Sequence, residues 1–130
     1  MTGETNLQKL LNELNPVLNP GEFVFSVVEK MDSLPSDDLI MTFREKEGCT
    51  VILRKELADK LTLKYDFVAS WITLEVYSSL ASVGLTARFS AVLAAAGISC
   101  NVVAGYYHDH IFVPITEATR ALQLLKSQMQ

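Results

Sequence analysis

Two cysteines, four prolines and one tryptophan in 130 residues leave little material for several familiar designs. A disulfide scaffold needs more cysteines than two, and Cys49 and Cys100 both sit in apolar, strand-like runs where a buried thiol is the expected state. Basic residues are also scarce: eleven Lys and Arg stand against fifteen Asp and Glu, a formal charge of −4. Such a balance lacks the basic field that displaces counterions from a phosphate backbone, so the chain is not expected to bind nucleic acid. No apolar run approaches the roughly 20 residues of a membrane span. The first ten residues have neither a basic region nor an apolar stretch of the kind that directs secretion, which makes the expected location cytoplasmic. What remains is a composition with 49% hydrophobic residues, enough for a core without staples.

Periodicity then orders the chain. Leu7, Leu10, Leu11 and Leu14 fall on one helical face, and Thr5 with Gln8 fits a capping box. Pro16 and Asn19-Pro20-Gly21 are expected to stop this helix before a strand at 22–28. Residues 31–38 read as a loop around Pro35. Residues 39–45 and 49–54 read as a hairpin, with Leu39, Met41 and Phe43 expected on the inner face. A short helix at 55–60 precedes the longest strand candidate, 65–77. A loop of small residues, 78–84, leads into a helix at 85–96 with Leu85, Phe89, Val92 and Leu93 at helical spacing, and Gly97 is placed to end it. Strands at 98–104 and 110–114 flank a turn, and Thr116 is expected to cap a last helix running to about Gln128.

Both halves of this order are variants of βαββαβ, so the fold class is α+β: ferredoxin-like units with an antiparallel sheet and helices on one face. The expected division is 1–64, an N-terminal helix plus an incomplete unit, and 65–130, a second unit. The first half lacks the helix between its first two strands. The second lacks a closing strand, which the other half (through residues 22–28) or a second chain must supply.

Trp71-Ile72-Thr73-Leu74-Glu75-Val76, followed by Ser78-Ser79-Leu80 and Val83-Gly84-Leu85-Thr86-Ala87, resembles the first strand, loop and helix start of an ACT domain. The run from Ala94 to Val102 resembles the end of the ACT helix and its second strand. With Gly105-Tyr106-Tyr107-His108-Asp109-His110-Ile111-Phe112-Val113-Pro114, the chain is similar to a bacterial family of small tandem-ACT proteins of uncharacterised function. Phe23-Val24-Phe25 and Phe43-Arg44-Glu45-Lys46-Glu47-Gly48 extend the resemblance over roughly residues 5–125. It implies a regulatory module that binds an amino acid at an interface between domains, through the loop and helix start after the first strand.

The residues themselves suit that chemistry. A helix start presents unbonded N–H groups and a positive dipole end, both favourable for a carboxylate. Gly84 permits close backbone approach, and the Ser78, Ser79 and Thr86 hydroxyls can donate to the same anion. Val83 and Leu85 complete that stretch. Asn101 and the turn His108-Asp109-His110 are expected to line the opposite wall, with Asp109 or strand carbonyls near Asn101 accepting from the ammonium. The same loop also reads as an ordinary turn with an N-cap. The His108-Asp109-His110 triplet offers at most three metal ligands with no cysteine or further histidine to complete a set, so no metal is assigned. Cys100 and His108 form a conceivable catalytic pair, but no phosphate loop, nucleotide fingerprint or nucleophile elbow is present. The expectation is a protein without enzymatic activity or cofactor, a homodimer that binds an amino acid or related carboxylate. The alternative is an interaction module that dimerises through open sheet edges without a ligand.

Overall fold

A computed structural model describes Gly3 and residues 5–129. The chain forms two compact units: Gly21–Ala69, and the flanking chain up to Pro20 and from Ser70 onward. Its elements are α1 (Leu7–Glu13), β1 (Asn15–Val28), β2 (Leu39–Arg44), β3 (Cys49–Arg54), α2 (Lys55–Lys60), β4 (Val68–Glu75), α3 (Leu85–Ala95), β5 (Asn101–Ala104), β6 (Asp109–Pro114) and α4 (Ala118–Gln128).

In the unit completed by the C-terminal half, the strand order is β1-β4-β6-β5. β4, α3 and β5 make a crossover with β6 between the two strands, the split arrangement of a ferredoxin-like unit. The closing strand missing from residues 65–130 is supplied by the first part of β1, up to Pro20, and not by residues 22–28. Pro16 and Pro20 do not separate helix from strand; the chain leaves α1 directly into an extended strand, the conformation that proline's fixed φ also allows. Asn6, rather than Thr5, caps α1, its side chain accepting from the Lys9 N–H at 3.0 Å.

The apolar faces explain the layering. Ile72 and Leu74 of β4 and Ile111 and Val113 of β6 point to one side of the sheet, by the two-residue alternation of a strand. There they meet Leu10, Leu11 and Leu14, Leu85, Phe89 and Leu93 of α3, and Ala121 and Leu125 of α4. Each fully buried Leu, Ile or Phe in this set contributes about 1.5–3 kcal/mol. Trp71, Thr73, His110 and Phe112 alternate with these residues and so face the other side of the sheet. Gly97, at φ +76°, ends the α3 turn as its sequence position suggests. The last helix enters through a 3₁₀ turn, Ile115–Glu117, and has no side-chain cap, so Thr116 does not fill that role.

In the Gly21–Ala69 unit the order is β2-β3-β1, with both pairings antiparallel. Two single 3₁₀ turns, Met31–Ser33 and Ser36–Asp38, stand where a first helix belongs. Val24, Val51, Leu53 and Ala58 form the core. Leu39 pairs with Leu53 and joins it, but the register shifts between Leu39 and Met41. That bulge turns Met41 and Phe43 to the opposite face, and Phe43 is 63% exposed rather than internal.

Candidate functional site

The loop after β4 is built by local hydrogen bonds. Ser78 N–H donates to Val76 O at 3.0 Å, Ser82 N–H to Ser79 O at 3.0 Å, and the Ser79 hydroxyl accepts from the Ala81 N–H at 3.1 Å. The Ser79 oxygen is thus already engaged in shaping the turn. Ser78 is nearly buried, whereas Leu80 and Val83 project outward with 69% and 83% exposure. α3 then starts at Gly84, at φ +101°, with no side-chain cap. A residue without a side chain cannot satisfy the first N–H groups of the helix. Leu85 is buried as the first anchor of α3 and Thr86 is exposed beside it.

Gly3 and Leu7 lie over this loop. A Cβ added at Gly3 would fall 2.5 Å from the Ser78 carbonyl carbon and 2.6 Å from the Ser79 nitrogen, so backbone crosses backbone there. The Leu7 side chain covers Gly84, its Cδ2 at 3.1 Å from an added Cβ. Neither contact is foreseeable from local pattern, because both join residues distant in sequence.

Of the opposite wall, part is near and part is not. His108 is placed at the end of β4, with Nδ1 at 3.4 Å from Val76 O. Asp109 follows it at the start of β6; burial holds its carboxyl above the ordinary carboxylate range, an effect partly offset by His108. Its backbone pairs with Ala104, and its carboxyl group has no hydrogen-bond partner among the described residues. His110 is turned to the other side of the sheet, where Nδ1 lies 3.0 Å from Trp71 Nε1 and 3.1 Å from Thr73 Oγ1. Asn101 pairs with Phe112, whose ring stacks with Trp71. Trp71 of β4 lies five residues before Val76, about 16 Å at strand rise. The structure therefore gathers Ser78, Ser79, Val83, Gly84, Leu85, Thr86 and His108 toward one end of the unit, and leaves Asn101 and His110 apart from them.

An aromatic cluster that no local pattern marks stands at this end: Tyr77, Tyr106 and Tyr107 have ring centroids 5.1–6.4 Å apart, and Tyr106 and Tyr107 are mostly exposed. Cys49 and Cys100 are free thiols; burial pushes Cys100 up to about 11, leaving it a poor nucleophile. Among the described residues no three metal-ligating side chains come together, and no helix is long and apolar enough to cross a membrane.

Residues 2–70 match one ACT-domain family model and residues 67–127 match a second. The chain belongs to the ACT-domain family. This tandem ACT protein is 46% identical to a Vibrio cholerae protein of unknown function for which transport has been suggested; the match covers 95% of this chain and 96% of that one, with a TM-score of 0.87. An Agrobacterium tumefaciens protein shares its fold at 13% identity over 87% of each chain, TM-score 0.71. So does the regulatory subunit of aspartate kinase from Thermus thermophilus, in its ligand-free form, at 8% identity over 88% of this chain and 97% of that one, TM-score 0.61. No curated protein matches in sequence.

Proposed function

We propose that this ACT protein is a regulatory sensor of a small amino acid or related carboxylate. The ligand carboxylate sits on the N–H groups that open α3, and the Gly21–Ala69 unit and the unit of the flanking chain work as the two ACT-like units of each protomer of a homodimer. One observation carries the reading: α3 begins at an uncapped glycine, beside a loop whose Leu80 and Val83 side chains are left in solvent. The half-buried carboxylate of Asp109, without a hydrogen bond among the described residues, supports an ammonium acceptor close to His108. The Gly3 and Leu7 contacts add a condition. The chain there must lift from Ser78-Ser79 and Gly84 for a ligand to reach the helix start, so segment and ligand compete.

A thermal-shift screen against the free amino acids tests this, since a ligand that binds only the folded state stabilises it by mass action. One or a few amino acids should raise the melting temperature in a concentration-dependent way. If none does, the sensor reading falls. The competing reading, an interaction module without a ligand, is favoured by the exposed Tyr106 and Tyr107 pair and by β5 at the end of its strand order. It calls for a mass that rises with protein concentration and no response to amino acids.

A further inference from the structure

The Gly21–Ala69 unit holds a groove of its own, about 620 Å³, walled by the end of β1, the β2–β3 hairpin and the chain before β4. Its walls are fixed. The Ser26 hydroxyl donates to Lys64 O at 2.6 Å, and the hairpin closes through the Glu45 N–H to Gly48 O at 2.9 Å. Phe25 and Val27 supply apolar surface: Phe25 rests against the Phe67 ring, 6.3 Å between centroids, while Val27 is 60% exposed. The Glu45 carboxylate is held by the Thr50 hydroxyl. Lys64 and Asp66 are different. Both line the groove, they carry opposite charges two residues apart, and neither side chain has a hydrogen-bond or ion-pair partner among the described residues.

We propose that this groove binds a small zwitterion with an apolar side chain. Lys64 takes the carboxylate, Asp66 with Glu45 takes the ammonium, and the side chain lies on Phe25 and Val27. Two opposite charges left apart over an apolar floor match a ligand carrying both charges and a short apolar group, and the volume lies within the usual range for small-molecule sites. The ligand class rests on the sensor reading; the place does not, because none of these residues belongs to the loop before α3.

The experiment is a backbone-amide NMR titration of the full chain with L-leucine, N-acetyl-leucine and leucinamide, repeated on Lys64→Gln and Asp66→Asn. Both residues are exposed and unpartnered, so both variants should fold with an unchanged thermal midpoint. L-leucine should shift the amides of Val27, Glu45, Thr50 and Lys64 to Asp66. Each single-charge analogue and each variant should weaken that response by roughly tenfold. Shifts confined to residues 78–86 overturn this site and leave the sensor reading standing. Shifts in the groove that both charges of leucine are needed to produce uphold this site. No shift in the groove overturns this site, as does equal binding of leucine by wild type and variants, while the sensor reading stands or falls with the amino-acid screen.

Discussion

The Trp71 indole donates its Nε1–H to Nδ1 of His110 across 3.0 Å, which places the proton of the neutral imidazole on Nε2. The Thr73 hydroxyl lies 3.1 Å from the same nitrogen and in turn accepts from Asn19 Nδ2 at 2.9 Å. A second imidazole proton on Nδ1 would face the indole N–H. Burial, with the His108 charge nearby, accordingly holds His110 below its ordinary value of 6.5.

The sign of the pH effect follows. Below pH 6.5 the unfolded chain takes up a proton that folded His110 resists, so this residue's contribution to stability is intact above that pH. The contribution is lost as the pH falls toward the lowered folded value. Urea midpoints between pH 8 and 5 should drop on the acid side, with a parallel change in the emission of Trp71, the chain's single tryptophan. His110→Phe should cost about 1 kcal/mol at pH 8, because Trp71 loses this acceptor, and should flatten the acid decline. A decline of the same size in the variant would assign it elsewhere.

Gly84→Ala tests the α3 start as a structural element. At φ +101° a side chain is strained, and the added Cβ meets Leu7 Cδ2 at 3.1 Å. Urea denaturation should show a loss of about 1–2 kcal/mol.

Gly3→Val tests the competition between the Gly3 backbone and a ligand. The valine Cβ cannot occupy a position 2.5 Å from the Ser78 carbonyl carbon, so the segment must move away. Calorimetric titration with the amino acid found in the screen should give roughly fivefold tighter binding, because the open state no longer has to be purchased from the closed one. Unchanged or weaker binding would mean that the segment does not guard the site.

Cys100 should alkylate slowly. Its thiol is raised to about 11, so little thiolate exists near neutrality, and iodoacetamide at pH 7.5 should label it more slowly than a free cysteine by mass spectrometry.

Much of the fold is written in local pattern. Leu85, Phe89 and Leu93 mark the buried stripe of α3, and Gly97 marks its end. Val51 and Leu53 mark the inner face of β3. The failures have physical causes. Alternation along β2 predicts one face for Leu39, Met41 and Phe43, but a bulge between Leu39 and Met41 breaks the count, and a bulge leaves no reliable trace in hydrophobicity. Pro16 and Pro20 disguise the first half of β1, since proline's local signal is a stop while the strand is decided by its neighbours. At the candidate site, the loop 78–84 and the helix start were legible because Gly84 and the small residues are local signals. The cover by Gly3 and Leu7, the Trp71–His110 bond and the tyrosine cluster were not, since each joins residues brought together only by the sheet and its helices.

Thr86→Asp puts the central claim to its most direct test. Thr86 is exposed in the first turn of α3, so a carboxylate there interacts favourably with the helix dipole and occupies the place meant for the ligand's own. The account predicts a ligand-free variant about 0.3–1 kcal/mol more stable than wild type, in which the melting-temperature rise produced by the preferred amino acid is lost. A variant that responds to that amino acid as fully as wild type would contradict it.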